Sequence, residues 1–328
     1  MDATDERWAV LLPDDIDPVG PESIADIASF TRYGAYADRA ALVADADRFD
    51  AMVVRLFEVP ADLLDAATNL KVVANHGAGV DNVDVDAATR NGVPVCNTPG
   101  VNARAVAEHA VMLLLAVKRR LVPADAHVRD GGWDRGAFAG SELAGETVGL
   151  LGVGDIGAET ARVLAGFDVD LLTYDPYVPA GETPAGVEPV DTLAALFERA
   201  DAVSVHTPLT DETQGLVGAD ELAALGPDGV FVNTARGGVV DAEALTAALD
   251  RGELAGAGLD TFDPEPPDAD DPPFGRDDVV VTPHVAGVTD EALARMSRAA
   301  AENVRTVYEG GLPESTVNAD ALADRGRR

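Results

Sequence analysis

The sequence predicts an α/β protein with two doubly wound parallel sheets, in which one domain is inserted into the other. Short apolar runs rich in β-branched residues alternate with helix-like segments along nearly the whole chain. This is the pattern of a parallel sheet with helices on both faces. The runs form two series, and long helix-like stretches at 102–120 and 290–310 separate and follow them. A chain of 328 residues is long enough for two such domains.

The first series contains strand candidates at 8–13, 51–57, 71–77 and 93–98. Helix-like pieces at 61–68 and 84–92 lie between them, and the second piece closes on Gly92, as helices commonly do. We therefore expect a small α/β domain at the start of the chain.

The second series contains six strand candidates, at 147–154, 169–175, 202–208, 229–235, 255–262 and 278–284. Six is the number of strands in a doubly wound nucleotide-binding sheet. We therefore assign residues 102–287 to one domain and expect residues 1–101 and 288–328 to form the other. The two long helices at the crossings would act as a hinge.

The chain is strongly acidic. It has 58 Asp and Glu against 24 Lys and Arg, which gives a formal charge of -34 at pH 7, and the acids are spread along the whole sequence. Such a surface is typical of a halophilic protein whose self-repulsion is screened by concentrated salt. The alternative is an acidic bias in composition. In either case the charge disfavours nucleic-acid binding, which needs basic patches.

Other bulk features favour a cytoplasmic location. The longest apolar run, 110–117, has eight residues, whereas a membrane-spanning helix needs about 20, so we expect no membrane partner. The N-terminus lacks a basic region followed by an apolar segment, and we expect no signal peptide. The single cysteine, Cys96, allows no intrachain disulfide and disfavours a cysteine-based metal site, so we expect no metal.

A glycine motif indicates a dinucleotide site. Gly152, Gly154 and Gly157 follow a strand candidate and open a helix-like segment, with Asp155 and Ile156 between them. This is the context that the G-x-G-x-x-G pattern requires. The glycines permit a tight turn, a close approach of the backbone to a pyrophosphate, and close packing of helix on strand. The pyrophosphate would lie at the helix N-terminus, where unpaired N–H groups favour an anion. We therefore expect a Rossmann domain.

Asp175 predicts the choice of cofactor. It lies 23 residues after Gly152, at the end of the next strand candidate. An acid at this place accepts hydrogen bonds from the adenosine ribose hydroxyls. Because a carboxylate there repels a 2′-phosphate, we expect NAD rather than NADP.

Charged side chains follow three successive strand candidates. Arg236 follows the first, and Asp260 and Glu265 follow the second. His284 follows the third. Ligands bind at the carboxyl edge of open α/β sheets, so we expect these side chains to face one crevice.

The sequence resembles the D-isomer-specific 2-hydroxyacid dehydrogenases, and among them the phosphoglycerate dehydrogenase branch. The resemblance covers nearly the whole chain and rests on the segments HGAGVDNVDVDAA, CNTPGVNARAVAEHA, GVGDIG, VHTPLT, NTARGGVVD, LDTFDPEP and TPHVAG. It implies a Rossmann NAD-binding domain inserted into a flavodoxin-like substrate domain, and a homodimer formed through the cofactor domains. A cleft between the domains is expected to close on the substrate and exclude water.

The resemblance implies catalytic roles for Arg236, Glu265 and His284. Arg236 would bind the carboxylate and carbonyl oxygen of the substrate, because a guanidinium can hold a carboxylate through two hydrogen bonds. His284 would exchange a proton with the carbonyl oxygen. Glu265 would raise the pKa of the histidine and fix its tautomer. Asp260 is expected to help orient the nicotinamide carboxamide.

Further contacts are implied at other strand ends. His206 is expected to line the adenine end of the cofactor, and His109 is expected to be a packed hinge residue. Cofactor contacts are also implied at Thr207, Pro208, Thr234, Ala235, Gly287, Arg236 and His284. The loop made by His76, Gly77, Ala78 and Gly79 would present backbone N–H groups to the substrate carboxylate.

The expected substrate is 3-phosphoglycerate, oxidised to 3-phosphohydroxypyruvate in serine synthesis. The alternative is the reduction of hydroxypyruvate, glyoxylate or another 2-oxo acid. A corepressor of the C-terminal-binding protein type, which binds NAD, is the alternative from another class. The chain ends near its last helix-like stretch, so we expect no regulatory domain and no feedback control by serine.

A phosphorylated substrate needs cations beyond Arg236. Arg55 and Arg135 match positions where the phosphoglycerate dehydrogenase branch keeps an arginine, and the alternative is that both are solvated surface residues. A third such position is occupied here by Asn75 and His76. One cation is thus replaced by a neutral amide and a ring that is only partly charged near pH 7.

Overall fold

The structure is a computed structural model that describes residues 7–179, 181–268 and 273–325. The described chain divides into two compact units. Unit 1 contains the residues up to Asn102 together with those from Val288 onward, and unit 2 is the continuous segment Ala103–Gly287.

Twelve strands are found in the described residues: β1 (Trp8–Leu12), β2 (Ala28–Arg32), β3 (Ala51–Val54), β4 (Val72–Asn75), β5 (Val95–Cys96), β6 (Thr147–Leu151), β7 (Asp170–Tyr174), β8 (Val187–Pro189), β9 (Ala202–Val205), β10 (Val230–Asn233), β11 (Gly256–Leu259) and β12 (Val279–Val281). The helices of the same residues are α1 (Val19–Ser23), α2 (Arg39–Ala44), α3 (Ala61–Ala66), α4 (Val85–Asn91), α5 (Ala103–Lys118), α6 (Leu121–Arg129), α7 (Asp155–Leu164), α8 (Leu193–Arg199), α9 (Ala219–Leu225), α10 (Ala242–Arg251), α11 (Asp290–Tyr308) and α12 (Ala319–Arg325). Among the described helices, none is both long and apolar enough to cross a bilayer.

Unit 1 is built on a five-stranded sheet with the order β2-β1-β3-β4-β5. Every strand pairing in it is parallel. This is the flavodoxin-like order, in which the second strand pairs with one side of the first strand and the third strand pairs with its other side. All residues of β3 and β4 are buried, because helices cover both faces of the sheet.

Unit 2 is built on a seven-stranded sheet with the order β12-β11-β10-β9-β6-β7-β8. Its pairings are also parallel. Read from the first strand of the unit, this is the Rossmann order with one strand added at the edge, and the order reverses between β6 and β9. The predicted fold class, two doubly wound parallel sheets of Rossmann and flavodoxin-like type, is confirmed.

Two edge strands were not predicted from the sequence. β2 has the sequence ASFTR and is exposed at most of its positions, and β8 is three residues long and ends in Pro189. Neither has the apolar run of a strand that is buried on both faces. The predicted helix at 102–120 is also shorter than expected. α5 ends at Lys118 because Arg120 adopts a left-handed backbone conformation (φ 50°), after which α6 begins.

Each sheet has an apolar core on both of its faces. In unit 2, one core contains Phe197 and Phe231, and the other contains Leu113 of α5 and Leu150 of β6, all of them almost fully buried. Two packed layers hold the strands rigidly. The carboxyl ends of the strands, where the predicted site residues follow, therefore have well-defined positions.

Candidate active site

The glycine turn after β6 has the geometry that its pattern predicts. Gly152 adopts a φ of +92°, which side chains disfavour. A Cβ at Gly157 would lie 2.2 Å from the carbonyl oxygen of Gly152, so only glycine lets α7 approach the turn this closely. A Cβ at Gly154 would meet nothing within 4 Å. The side of the turn at the start of α7 is therefore open to a ligand.

Asp155 and Ile156 form the start of α7. Asp155 is exposed in the first turn of the helix, and Ile156 is half-buried. A carboxylate at this end of a helix is favourable because the unpaired N–H groups carry partial positive charge. The same N–H groups are the ones offered to a pyrophosphate.

Asp175 is tethered to the glycine turn. It follows β7, which pairs with β6, and its Oδ2 accepts a hydrogen bond from the N–H of Val153 at 2.9 Å. Its Oδ1 accepts from the N–H of Tyr177 at 3.0 Å. The carboxylate is therefore held next to the glycine turn, as the ribose contact of a dinucleotide requires.

His206, Thr207 and Pro208 follow β9 on the other side of β6. Burial lowers the pKa of His206 to about 3, so its ring is neutral at physiological pH. Neither ring nitrogen has a hydrogen-bond partner among the described residues. A neutral ring with two unused nitrogens suits the adenine end of a cofactor better than a phosphate.

Arg236 is held in a turn that Asn233 organises at the end of β10. The fully buried Asn233 accepts from the N–H of Ala235 at 3.0 Å and donates from its Nδ2 to the carbonyl of Arg236 at 2.9 Å. The half-buried Arg236 donates from Nη1 to the carbonyl of Ala235 at 2.7 Å. The guanidinium therefore has a defined place at the carboxyl edge of the sheet.

Close packing requires the first of the two glycines that follow Arg236. A Cβ at Gly237 would lie 2.1 Å from the backbone carbonyl carbon of Phe262, whereas a Cβ at Gly238 would meet only side-chain atoms, at 3.1 Å or more. Glycine at 237 thus lets the Arg236 turn pack directly on the segment that leads to Glu265. This close approach brings two strand ends together.

Glu265 and His284 form a hydrogen-bonded pair. Oε2 of Glu265 lies 2.7 Å from Nδ1 of His284, and Oε1 accepts from the N–H of Phe262 at 3.0 Å. The hydrogen bond to Glu265 raises the pKa of His284 above its ordinary value, against an opposing effect of burial. Burial acts to raise the pKa of Glu265, but the hydrogen bonds from His284 and Phe262 outweigh it and the pKa is lowered.

Arg236 belongs to the same cluster. Its positive charge contributes to lowering the pKa of Glu265, and it opposes the rise in the pKa of His284. The three side chains predicted from successive strand ends are thus brought together within unit 2. A cation, an acid and an imidazole that favours its charged form share one edge of the sheet.

Asp260 holds the loop that carries His284. Its carboxylate is fully buried and accepts hydrogen bonds from the hydroxyl of Thr282 at 2.6 Å and from the N–H groups of Val285 and Ala286, each at 2.9 Å. Its carbonyl accepts from the N–H of His284 at 2.8 Å. The sequence prediction gives Asp260 a contact with the nicotinamide carboxamide, whereas its side chain here faces the loop. These bonds stabilise the unusual φ of +52° at His284.

His109 extends this network, which the sequence prediction missed. Its Nε2 lies 2.9 Å from the hydroxyl of Thr282. Because that hydroxyl donates to Asp260, its oxygen accepts from His109. Burial lowers the pKa of His109, and the charge of Asp260 only partly opposes this. The sequence feature that indicates this network is Thr282, which lies two residues before His284.

The remaining predicted cofactor contacts of unit 2 lie at the carboxyl edge of the sheet or near its end. The hydroxyl of Thr234 is buried and has no partner among the described residues, which leaves it available to a ligand. Ala235 and Gly287 are half-buried. Arg135 is exposed and lies between α6 and a short 3-10 turn at Gly136–Phe138.

The loop His76–Gly79 follows β4 in unit 1. His76 is buried, and its Nε2 lies 3.1 Å from the carbonyl of Leu293 in α11. Burial lowers the pKa of His76, against the effect of that hydrogen bond. Burial therefore favours the neutral imidazole, whose Nε2 donates to the carbonyl of Leu293 in α11. Gly77, Ala78 and Gly79 are half-buried, and a Cβ at Gly77 would meet only the amide of Asn75, at 3.2 Å.

Arg55 lies beside this loop. β3 pairs with β4 so that Val54 is opposite Asn75, which places Arg55 next to His76 at the carboxyl edge. The side chain of Arg55 is 13% exposed and forms an ion pair with Asp15. No local pattern indicates this partner, which is 40 residues away.

These features fit a dinucleotide. The open side of the glycine turn lies at the N-terminus of α7, the tethered Asp175 lies on one side, and the unpaired hydroxyl of Thr234 lies along the same edge. The cluster of Arg236, Glu265 and His284 follows further along the sheet. The fold and the site together are those of a dinucleotide-binding protein that carries an acid–base pair at the same edge of the sheet.

Comparison with known proteins identifies the family. Residues 111–286 match the model of the NAD-binding domain of D-isomer specific 2-hydroxyacid dehydrogenases. The chain is 45% identical over 285 residues to a D-3-phosphoglycerate dehydrogenase of Mycobacterium leprae, covering 86% of this chain and 54% of that one. It is 42% identical over 287 residues to a glyoxylate reductase of Thermofilum pendens, covering 84% and 83% of the two chains.

A solved structure supports the same assignment. The NADPH-dependent glyoxylate/hydroxypyruvate reductase of Sinorhizobium meliloti, in complex with NADP and malonate, is 36% identical and superposes with a TM-score of 0.85, covering 97% of this chain and 98% of that one. The chain belongs to the D-isomer specific 2-hydroxyacid dehydrogenase family. The part of unit 2 that matches the family model corresponds to the NAD-binding domain of this family. It spans 54% of the length of the Mycobacterium leprae phosphoglycerate dehydrogenase.

Proposed function

We propose that this protein is an NAD-dependent D-3-phosphoglycerate dehydrogenase, which interconverts 3-phosphoglycerate and 3-phosphohydroxypyruvate in serine synthesis. The observation that carries the chemistry is the 2.7 Å contact between His284 and Glu265, with the charge of Arg236 acting on both. The choice of substrate is supported by the phosphoglycerate dehydrogenases at 45% and 43% identity, which are longer proteins than this chain.

Arg236 binds the substrate in this proposal. A 2-oxo acid presents a carboxylate beside a carbonyl, and a guanidinium can hold the carboxylate through two hydrogen bonds while its charge polarises the carbonyl. The backbone N–H groups of Gly77, Ala78 and Gly79 would also bind the carboxylate. The glycine turn and Asp175 would hold NAD, which would supply the hydride chemistry at the carbon atom of this carbonyl.

His284 moves the proton. Because Nδ1 donates to Glu265, Nε2 is the nitrogen that exchanges a proton with the substrate oxygen. The imidazolium protonates this oxygen during reduction, and the neutral ring removes the proton during oxidation. Glu265 favours the imidazolium and therefore assists reduction. Asp260 keeps the His284 loop in place through the N–H groups of Val285 and Ala286.

Asp175 favours NAD over NADP in this proposal. Its carboxylate, tethered to the glycine turn through Val153, would accept from the ribose hydroxyls and repel a 2′-phosphate. His206 would line the adenine end, and the start of α7 at Asp155 and Ile156 would receive the pyrophosphate.

Arg55 is the candidate cation for the substrate phosphate. It is half-buried next to the His76–Gly79 loop, so its charge lies beside the proposed carboxylate-binding backbone. Arg135 is the second candidate, through a partner subunit.

Reduction of hydroxypyruvate or glyoxylate is the second candidate function. It is favoured by the ion pair in which Asp15 neutralises Arg55, and by the neutral His76 that stands where the branch keeps an arginine. The glyoxylate reductase of Thermofilum pendens is also similar over most of both chains.

Substitutions at the ion pair decide between these substrates. The value of kcat/KM is measured for 3-phosphohydroxypyruvate and hydroxypyruvate in the wild type, Arg55→Ala and Asp15→Asn. In the wild type we expect a higher kcat/KM for 3-phosphohydroxypyruvate than for hydroxypyruvate. Arg55→Ala should largely remove this difference, and Asp15→Asn should enlarge it, because Asp15 competes with the substrate phosphate for Arg55. Arg48→Ala, which removes another ion-paired arginine of unit 1, is the control. A wild type that prefers unphosphorylated 2-oxo acids would establish the second candidate instead.

A homodimer through unit 2 is part of the proposal. α6 has no buried residue. Leu121, Val122 and Val128 on this helix, and the nearby Trp133, are each at least half exposed. A second copy would cover this apolar surface. Sedimentation at several concentrations tests the dimer. Leu121→Glu is expected to shift the protein toward monomers.

The acidic composition supports a halophilic protein of the cytoplasm, where NAD and phosphorylated acids are available. The formal charge of -34 includes only two lysines, Lys71 and Lys118.

A further inference from the structure

Two side chains bridge the carboxyl edge of the unit 2 sheet above β6. Tyr177 follows β7, and its hydroxyl donates a hydrogen bond to the carboxylate of Glu212, which follows β9. β6 lies between β7 and β9 in the sheet, so the two strand ends are about 10 Å apart. The Tyr177–Glu212 contact therefore spans the end of the strand that leads into the glycine turn.

The backbone places Tyr177 beside Asp175. The N–H of Tyr177 donates to Oδ1 of Asp175 at 3.0 Å, and Oδ2 of the same carboxylate accepts from Val153 at 2.9 Å. The backbone of Tyr177 therefore belongs to the turn that carries Asp175, the proposed ligand of the ribose. The side chain of Tyr177 connects this turn to the carboxylate of Glu212.

The turn that carries Glu212 is also well defined. The hydroxyl of the buried Thr213 donates to the carbonyl of Pro208 at 2.6 Å and accepts from the N–H of Thr210 at 2.8 Å. The N–H of Gln214 donates to the carbonyl of Thr210 at 2.9 Å. These bonds define the backbone that carries the exposed Glu212, and the contact with Tyr177 places its carboxylate on the same edge of the sheet as Asp175.

We propose that Glu212, held by Tyr177, is a second determinant of the preference for NAD over NADP. A phosphate monoester carries nearly two negative charges at neutral pH, and a 2′-phosphate would project from the ribose edge that Asp175 faces. It would meet one carboxylate at Asp175 and another across the crevice at Glu212. An unfavourable charge placed against the wrong ligand is an effective source of specificity. The proposal rests on the ribose contact of Asp175 in the proposed function.

The test is a direct binding measurement. Dissociation constants for NADH and NADPH are determined from the change in nicotinamide fluorescence, at the lowest salt at which the wild type keeps its thermal transition and again in molar KCl. In low salt, Glu212→Gln should lower the dissociation constant of NADPH by about three- to tenfold, because one repulsive charge is removed. The dissociation constant of NADH should change by less than about twofold. Glu212→Lys should tighten NADPH further. Both effects should shrink in molar KCl, where the Debye length is about 3 Å.

Three further variants isolate the cause. Glu198→Gln, which removes an exposed acid near the C-terminus of α8, is the control for net charge and should leave the NADPH to NADH ratio unchanged. Tyr177→Phe keeps the ring but releases Glu212, and should tighten NADPH less than Glu212→Gln does. Asp175→Ala should raise the dissociation constant of NADH, because it removes the ribose contact. It should also bring the dissociation constants of NADPH and NADH closer together.

The result that overturns the proposal is a NADPH dissociation constant that Glu212→Gln and Glu212→Lys both leave unchanged in low salt. Equal changes for NADH and NADPH would overturn it too, since they would assign Glu212 a general contact with the cofactor. A failure of the proposed function is seen separately, as a lack of turnover with any 2-oxo acid, and it does not affect the ratio of the two dissociation constants.

Discussion

The Nδ1 atom of His284 lies 2.7 Å from Oε2 of Glu265, and this contact determines which ring nitrogen is available to a substrate. Glu265 is itself held by the N–H of Phe262, at 3.0 Å from Oε1. The backbone at His284 has a φ of +52° that the buried Asp260 stabilises. The pair is therefore oriented from both sides before any ligand binds.

Glu265→Gln should move the pH dependence of the reaction. The hydrogen bond from His284 to Glu265 is the main cause of the raised pKa of His284, so its loss lowers that pKa. Reduction needs the imidazolium, and its rate should begin to fall at a lower pH in the variant than in the wild type. Oxidation needs the neutral ring and should be retained to lower pH. The measurement is kcat in both directions from pH 5 to 10, and profiles that coincide would refute the pairing.

The same pair should affect stability within a pH window. Because the folded pKa of His284 is raised, its contribution is fully present below the ordinary pKa of about 6.5 and is lost as pH rises through the folded value. Glu265 has a lowered folded pKa, so its contribution is lost as pH falls through that value. The difference in melting temperature between wild type and Glu265→Gln should thus be larger near pH 6 than near pH 9. A difference that grows toward pH 9 would contradict this.

Gly237→Ala should disrupt the cluster without removing any of its side chains. The added Cβ would lie 2.1 Å from the backbone of Phe262, so the Arg236 turn must move away from the segment that carries Glu265. We expect kcat/KM to fall by about 10²-fold or more, since small displacements of positioning groups have effects of this size. Gly238→Ala is the matched control, because its Cβ meets only the side chains of Leu209 and Asp263. Equal activity of the two variants would show that the close approach is unimportant.

Lys118 and Glu146 form a buried ion pair whose two halves should differ in their effect on stability. Their charged atoms are 2.6 Å apart, and the side chains are 2% and 21% exposed respectively. Glu146→Gln leaves the more buried charge unpaired and should lower the free energy of unfolding by about 3–5 kcal/mol. Lys118→Met should cost less, because Glu146 still reaches water. Denaturant titration at constant salt measures both, and Asp125→Asn in an exposed pair on α6 should change little.

Salt should stabilise the folded chain. The charge of -34 implies strong self-repulsion, which ions screen at a Debye length of about 3 Å in 1 M salt but about 30 Å at 0.01 M. We therefore expect the melting temperature to rise from low to molar KCl. An uncharged osmolyte of equal osmolarity is the control for effects other than screening. A melting temperature that stays constant or falls with KCl would rule out the halophilic interpretation.

The residues at strand ends could be predicted from the sequence because each lies directly after an apolar strand. The parallel sheet brings such ends to one edge, so Arg236, Glu265 and His284 were placed together without knowledge of their distances. The Gly152–Gly157 turn was recognisable for a similar reason. Its glycines are close in sequence and act through the local backbone.

Other features depend on contacts between residues that are far apart in sequence. The pairing of Arg55 with Asp15 and the packing of His76 against Leu293 have no local signal in the sequence, so neither contact could be predicted from it. The edge strands β2 and β8 lack apolar runs because they are buried less than central strands. Asp260 has the position of a cofactor ligand in the sequence, but its carboxylate accepts hydrogen bonds from Thr282, Val285 and Ala286, which lie 22 to 26 residues later.

The proposed function requires that this chain reduce 2-oxo acids with His284 as the acid. It is tested most directly by the rate of NADH oxidation with 3-phosphohydroxypyruvate, hydroxypyruvate and glyoxylate in molar KCl, measured for wild type and His284→Ala. NADH binding is followed in the same samples by fluorescence. We expect turnover by the wild type, a kcat that is about 10²–10⁴-fold lower in the variant, and NADH affinity that is nearly unchanged. A variant with wild-type kcat, or a wild type that binds NADH but turns over none of these acids, would contradict it.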